Sequence, residues 1–172
     1  MPRPTQKILI DADVLIHFYK GEQLFLLPKI YTNKIIILDK VYDELRIVEL
    51  KHFIDNLIKM KFLHDEALDN SSSEIKMEYF RLKRDFGPGE SAVMAYCRFN
   101  NDVVASSNLR DIKTYCESNN IKYLTTMDFL AEAYRKGILN ETECDYFIYN
   151  VKSKGSKLIQ HINTIKDYIE SI

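Results

Sequence analysis

Short, continuous apolar runs separated by longer amphipathic stretches set the pattern of this chain. The runs are too short for helices, so they predict strands that are covered on both faces, as in a parallel sheet. They fall within residues 7–10, 35–38, 102–107 and 121–125. Helical spacing of the apolar positions between them predicts helices on both sides of the sheet. The expected architecture is therefore a three-layer α/β fold with a central parallel sheet of about four to five strands.

The longest predicted helix covers residues 40–59 and begins at a capping Asp39. Val41 and Val48 mark its buried stripe, and Glu44 shares that stripe because it lies three residues after the first and four before the second. A carboxylate on an apolar helix face is costly unless it has a partner. Glu44 is therefore a candidate functional residue.

The end of the chain carries apolar positions at helical spacing, which predicts a last amphipathic helix through Leu158, Ile162, Ile165 and Ile169. No composition shift marks a second globular unit. We expect one domain over residues 1–150, with residues 151–172 as a helical extension packed on the same domain.

Composition narrows the class of protein without identifying a partner. The chain has 172 residues, 46% of them hydrophobic and 28% charged, and a formal net charge of -1, so neither disorder nor a globally basic surface is expected. Three widely spaced cysteines, no signal peptide and no apolar run near the roughly 20 residues of a membrane span predict a cytoplasmic protein without a membrane segment.

Two carboxylates follow the first strand. Asp11 comes directly after Ile10, and Asp13 falls in the first turn of the next helix. Ligands of open α/β sheets bind at the carboxyl ends of the strands, so both are candidates for a site. Asp11 is equally well placed to cap that helix, and the stretch alone does not separate the two roles.

Two further acids are predicted near the same edge of the sheet. Glu90 lies in the first turn of a helix that begins near Gly89, and Asp111 follows the third predicted strand. Each would also stabilise its helix dipole, which is the alternative explanation. Carboxylates 4 Å apart repel by about 4 kcal/mol at an effective dielectric of 20, and a hard divalent cation relieves that repulsion. An all-oxygen set favours Mg²⁺ or Mn²⁺.

Four segments of the chain resemble the motifs of the PIN-domain nucleases, and among these the VapC-type toxins of bacterial and archaeal toxin–antitoxin pairs. They are the strand with its two acids at residues 8–15, Val-Tyr-Asp-Glu-Leu at 41–45, the small-residue helix opened by an acid at 89–95, and the strand, serine and acid at 104–112. The resemblance extends over about residues 5–150 and implies a PIN-like fold.

The resemblance also implies an activity, that of a Mg²⁺- or Mn²⁺-dependent endoribonuclease in which a metal-activated water cleaves an RNA phosphodiester and leaves a 5′-phosphate. The implied metal-holding and catalytic residues are Asp11, Glu44, Glu90 and Asp111. Asp13 would be auxiliary and Ser106 would orient the group. An RNA substrate, an antitoxin protein and a homodimer are the partners implied.

Asn108 departs from this pattern, because the fourth motif of the family often begins with Asp there. An amide keeps an oxygen but lacks the charge that attracts a metal. A PIN-like module that binds RNA or protein without cleaving therefore remains an alternative. A phosphatase of the HAD type is a third, because Asp11-Ala12-Asp13 follows a strand, although no later lysine or acid pair matches that family.

Basic residues next to the predicted site allow two interpretations. Arg81, Lys83 and Arg84 lie just before Gly87 and could grip phosphates, or they could form a solvated helix face. The four histidines show no ligand spacing and are expected to be ordinary residues.

Overall fold

Five strands form the centre of the structure, a computed structural model that describes residues 1–172. They are β1 (Ile8–Ile10), β2 (Ile35–Leu38), β3 (His64–Glu66), β4 (Val103–Ala105) and β5 (Tyr123–Leu124). Their order across the sheet is β3-β2-β1-β4-β5, and every neighbouring pair is parallel. The predicted α/β class, with a parallel sheet flanked by helices, is confirmed.

Ten helices surround this sheet. They are α1 (Ala12–Lys20), α2 (Leu27–Ile30), α3 (Asp39–Glu44), α4 (Val48–Lys59), α5 (Ser73–Leu82), α6 (Pro88–Asn100), α7 (Leu109–Ser118), α8 (Thr126–Arg135), α9 (Glu141–Ser153) and α10 (Ile165–Ser171). Residue 150 lies inside α9, and α10 packs against α8 and α9. None of the helices combines the length and the apolar character that a membrane span requires.

The central strand positions the loops that matter for function. Leu9 in β1 pairs with Ile36 on one side and with Val104 on the other, and all three strands are buried. The chain builds β1, β2 and β3 to one side and then returns to place β4 on the other side of β1. The crevice beyond the carboxyl ends of β1 and β4 is therefore the topological switch point, where ligands of such sheets bind.

The predicted long helix over residues 40–59 is wrong, because the structure breaks it into α3 and α4. Leu45 and Ile47 have extended backbone angles, and Leu45 is buried. Val48 is 69% exposed and does not continue the buried stripe. Asp39 is the first residue of α3 and not its cap; its carboxylate accepts the Leu68 N–H at 3.0 Å and ties the helix start to the chain after β3.

Other differences have local causes. Strand β3 was missed because its sequence, His-Asp-Glu, is polar, and an edge strand that pairs only with β2 does not need an apolar run. The last helix begins at Ile165 rather than near Leu158, because Thr164 and Asp167 form a capping box there. The Lys152 ammonium donates to the carbonyl of Ile162 and holds the preceding segment as a loop.

Candidate active site

Asp11 lies at the carboxyl end of β1 and is 4% exposed. Its Oδ1 accepts the Ala12 N–H at 2.8 Å, so it also caps α1. Its own N–H donates to the carbonyl of Ala105 at 2.8 Å, which ties the start of α1 to the end of β4. The two roles left open by the sequence, helix cap and site carboxylate, are therefore geometrically compatible.

Gly89 brings two candidate acids together. Its N–H donates to Glu44 Oε1 at 2.9 Å. A Cβ at this position would lie 2.4 Å from Glu44 Oε2 and 3.2 Å from Asp11 Oδ1, so the first turn of α6 contacts both carboxylates only because the residue is glycine. From the sequence, Gly89 was predicted only to start a helix. A glycine directly before an acid could also have indicated that the backbone approaches another side chain closely here.

Asn108 links the other two candidate acids. Its Nδ2 lies 2.5 Å from Glu90 Oε1 and 2.8 Å from Asp111 Oδ2. The amide therefore donates to a carboxylate on α6 and to one in the first turn of α7. The resemblance to PIN-domain nucleases leads one to expect an acid at this position. This chain instead has the neutral amide of Asn108, which bridges the carboxylates of Glu90 and Asp111.

Asp13 is held mainly by backbone donors. Its Oδ2 accepts the Ser107 N–H at 2.7 Å, and its Oδ1 accepts the Val14 N–H at 2.6 Å. The Ser106 hydroxyl lies farther away, 3.4 Å from Oδ2, and accepts the Asn108 N–H at 3.2 Å. Asp13 thus fixes the loop after β4, with Ser106 as a secondary contact.

These carboxylates form one group, which we call the acidic edge: Asp11, Asp13, Glu44, Glu90 and Asp111. Burial, then the neighbouring Asp13, raises the pKa of Asp11 well above its usual value. Burial also raises the pKa of Asp13 to about 6 against the effect of its hydrogen bonds, and burial together with the Asp111 charge raises that of Glu90. The structure therefore brings the sequence-predicted acids into electrostatic contact.

The acidic edge has almost no compensating charge from the protein. No lysine or arginine pairs with Asp11, Asp13, Glu44 or Glu90, and the nearest contact is Arg110 Nε at 3.8 Å from Asp111 Oδ1. Buried carboxylates without a cation are costly, which favours an external cation. Arg81, one of the basic residues considered for phosphate binding, is instead paired with Glu78 at 2.7 Å.

The donor set fits a hard divalent cation by its chemistry. Protein donors reach only one oxygen each of Asp11, Glu44 and Glu90, so their second oxygens are available as ligands. The side chains do not form a closed coordination shell, because no group of three or more His, Cys, Asp or Glu residues has an arrangement that would hold an ion. Cation binding would therefore require these side chains to shift.

Comparison with known families agrees with this fold. The sequence model of a family described as a PIN domain matches residues 7–159. This range covers the strands β1 to β5 and all members of the acidic edge. The chain therefore belongs to the PIN-domain family. No curated protein matches the chain.

Proposed function

We propose that the protein is a metal-dependent endoribonuclease. The observation that carries this proposal is the acidic edge itself. Acids from four separate segments meet there at the switch point of the sheet, and exposed Arg110 beside Asp111 is the one protein cation near them. Membership of the PIN-domain family, whose members are generally nucleases, supports the same reading.

A Mg²⁺ or Mn²⁺ ion would be held by Asp11, Glu44, Glu90 and Asp111. When bound, such an ion supplies an acidified water and neutralises charge on a phosphodiester under in-line attack. The residues of the chain orient this group: Gly89 fixes Glu44, and Asn108 bridges Glu90 to Asp111. Asp13 holds the loop that carries Asn108.

Arg110 is the cation best placed to meet an RNA phosphate. Its side chain is 93% exposed, and its Nε lies only 3.8 Å from the Asp111 carboxylate at the rim of the acidic edge. Because it makes no close ion pair, it can bind a backbone phosphate without breaking a structural contact. We propose that it positions the strand next to the cation.

The proposal is tested with an end-labelled RNA and the purified chain. EDTA should stop cleavage, and Mg²⁺ or Mn²⁺ should restore it with a 5′-phosphate on the product. Asp11→Asn should abolish cleavage while the circular dichroism spectrum stays unchanged. Asp65→Asn, an exposed acid on the edge strand β3, is the matched control and should cleave normally. Cleavage that is indifferent to EDTA, or undiminished in Asp11→Asn, would overturn the proposal.

A second candidate, a binding module without cleavage, is favoured by one observation, the neutral Asn108 between Glu90 and Asp111. Mn²⁺ titration by calorimetry separates the two, because a nuclease site should bind the ion and a silent one should not. The third alternative, a HAD-type phosphatase, predicts phosphomonoester turnover with a covalent intermediate on Asp11.

The resemblance to VapC-type toxins leads to a finer proposal. The protein would act on cellular RNA in the cytoplasm, and a small antitoxin encoded next to it would block the acidic edge, with homodimer formation as a further feature. Co-expression with the product of the adjacent reading frame tests this. Co-purification together with loss of cleavage supports it, and cleavage unaffected by the neighbour's product argues against it.

A further inference from the structure

A chain of hydrogen bonds runs from the acidic edge into the core. The Ser107 N–H donates to Asp13 Oδ2 at 2.7 Å, and the Ser107 hydroxyl lies 2.8 Å from Thr126 Oγ1. Thr126 Oγ1 in turn lies 2.8 Å from Nδ1 of His17. These contacts join the loop after β4 to the first turn of α8 and to the middle of α1.

The hydrogens along this chain can be assigned by counting donors and acceptors. The Ser107 hydroxyl oxygen already accepts the Thr126 N–H at 2.9 Å. Its own hydrogen finds an acceptor in Thr126 Oγ1, and the Thr126 hydrogen then finds one in His17 Nδ1. The opposite direction, with Nδ1 as donor, leaves the Ser107 hydrogen without a protein acceptor. The arrangement that gives both hydroxyl hydrogens a protein acceptor makes His17 a neutral acceptor at Nδ1, with its proton on Nε2.

The surroundings of His17 favour this neutral form. The side chain is 5% exposed, and Thr126 is fully buried. Burial, with a smaller effect of Lys20 one turn along α1, lowers the pKa of His17 to about 4. No carboxylate contacts the ring; its one polar partner is the Thr126 hydroxyl.

We propose that His17 is a positioning residue for the acidic edge: by accepting at Nδ1 it orders the Thr126 and Ser107 hydroxyls, and these hold the Ser107 peptide against Asp13. From the sequence His17 was expected to be an ordinary residue, because its hydrogen-bond partner Thr126 lies 109 residues further along the chain. The effect on catalysis rests on the function proposed above, whereas the hydrogen-bond assignment does not.

Two variants separate this role from simple core packing. His17→Leu fills the space but removes the acceptor, and His17→Asn keeps an acceptor oxygen where Nδ1 stands. Phe18→Leu, a fully buried neighbour on α1 that makes none of these hydrogen bonds, is the control for general loss of stability. A packing role predicts similar behaviour of His17→Leu and Phe18→Leu, and a positioning role predicts that they differ.

The first readout is nuclear magnetic resonance and needs no substrate. The ¹⁵N spectrum of His17 should show an unprotonated Nδ1 and a protonated Nε2 from pH 5 to 8. Amide exchange of Ser107 should be about tenfold faster in His17→Leu, the loss of about one hydrogen bond, and near the wild-type rate in His17→Asn and in Phe18→Leu. A protonated Nδ1, or unchanged Ser107 exchange in His17→Leu, would overturn the proposal.

The second readout is RNA cleavage. In His17→Leu, kcat should fall about tenfold with an unchanged KM, because the loop that aligns the acids loosens while RNA contacts remain. His17→Asn should recover most of the rate. If the wild-type chain does not cleave RNA at all, the proposed function fails, and the magnetic resonance experiment alone decides the role of His17.

Discussion

Two clusters of side chains share the helices α6 and α7, and the protein treats the carboxylates of the two clusters in opposite ways. Glu78, on α5, accepts from Arg81, from Arg98 of α6 and from the Tyr115 hydroxyl of α7; we call these four residues the Glu78 cluster. The hydrogen bond from Arg81, against the effect of burial, lowers the pKa of Glu78 to about 2. At the acidic edge, the pKa of Asp11 is raised instead.

The difference lies in compensation, since both clusters use α6 and α7. On α6, Glu90 belongs to the acidic edge and Arg98 to the Glu78 cluster; on α7 the corresponding pair is Asp111 and Tyr115. Where a buried carboxylate serves stability, the chain supplies two guanidinium groups. Where the acids crowd at the sheet edge, it supplies only the exposed Arg110, 3.8 Å from Asp111, as we expect if the proposed site takes its positive charge from outside.

The largest expected effect is a difference in the free energy of unfolding between two variants, one at an acid of each cluster. Glu78→Ala should lower the free energy of unfolding by about 3 kcal/mol, because it leaves two arginines and a tyrosine without their partner. Asp11→Asn should leave the metal-free protein at least as stable as the wild type, because it removes a carboxylate whose buried charge is unfavourable. Urea denaturation at pH 7 measures both. Equal destabilisation by the two variants would break the comparison.

Gly89→Ala should separate activity from stability. The new Cβ would lie 2.4 Å from Glu44 Oε2, so Glu44 must move away from Asp11, and cleavage should fall about 100-fold. Stability should change little, because alanine is the better helix former by about 1 kcal/mol and offsets the contact. Gly87→Ala, whose Cβ would lie 3.5 Å from Glu44, is the matched control and should keep its activity. Full activity of Gly89→Ala would remove Glu44 from the site.

Acid should weaken the Glu78 cluster specifically. The pKa of the Glu78 carboxyl group falls from 4.5 to about 2 on folding. The stabilisation of the folded protein by this ionised carboxylate is therefore complete above pH 4.5 and is lost as the pH falls towards 2. Because the arginine side chains are 50% and 38% exposed, solvent screening reduces the contribution to about 2 kcal/mol. Unfolding of the wild type and Glu78→Gln from pH 6 to pH 2 measures it. The stability difference between them should shrink over this window, and a constant difference would contradict it.

The sequence located four of the five strands and named all five acids of the acidic edge as candidates, because these depend on local pattern. A buried strand followed by an acid is visible in Ile10 and Asp11, and so is a helix opened by Glu90. The Glu78 cluster was not predictable, because Glu78, Arg98 and Tyr115 come from three helices whose relative packing the sequence does not give. The contact of His17 with Thr126 was not predictable either, because it depends on how α1 packs against α8. The break at Leu45 was missed because a short apolar stripe continues across it without Gly or Pro.

The smallest expected effect is that of Asn108→Asp, which tests whether the acidic edge binds a cation. Asn108→Asp adds a carboxylate between Glu90 and Asp111 and removes two hydrogen bonds, so the metal-free protein should lose stability. The nearest protein cation, Arg110, is almost fully exposed and makes no close ion pair there, so a bound ion would offset the new charge far better. Mn²⁺ affinity by calorimetry should therefore rise about tenfold, while Asn108→Ala should bind no better than the wild type. If Asn108→Asp bound Mn²⁺ no more tightly than Asn108→Ala, the acidic edge would not be the cation site, and its contrast with the Glu78 cluster would need another explanation.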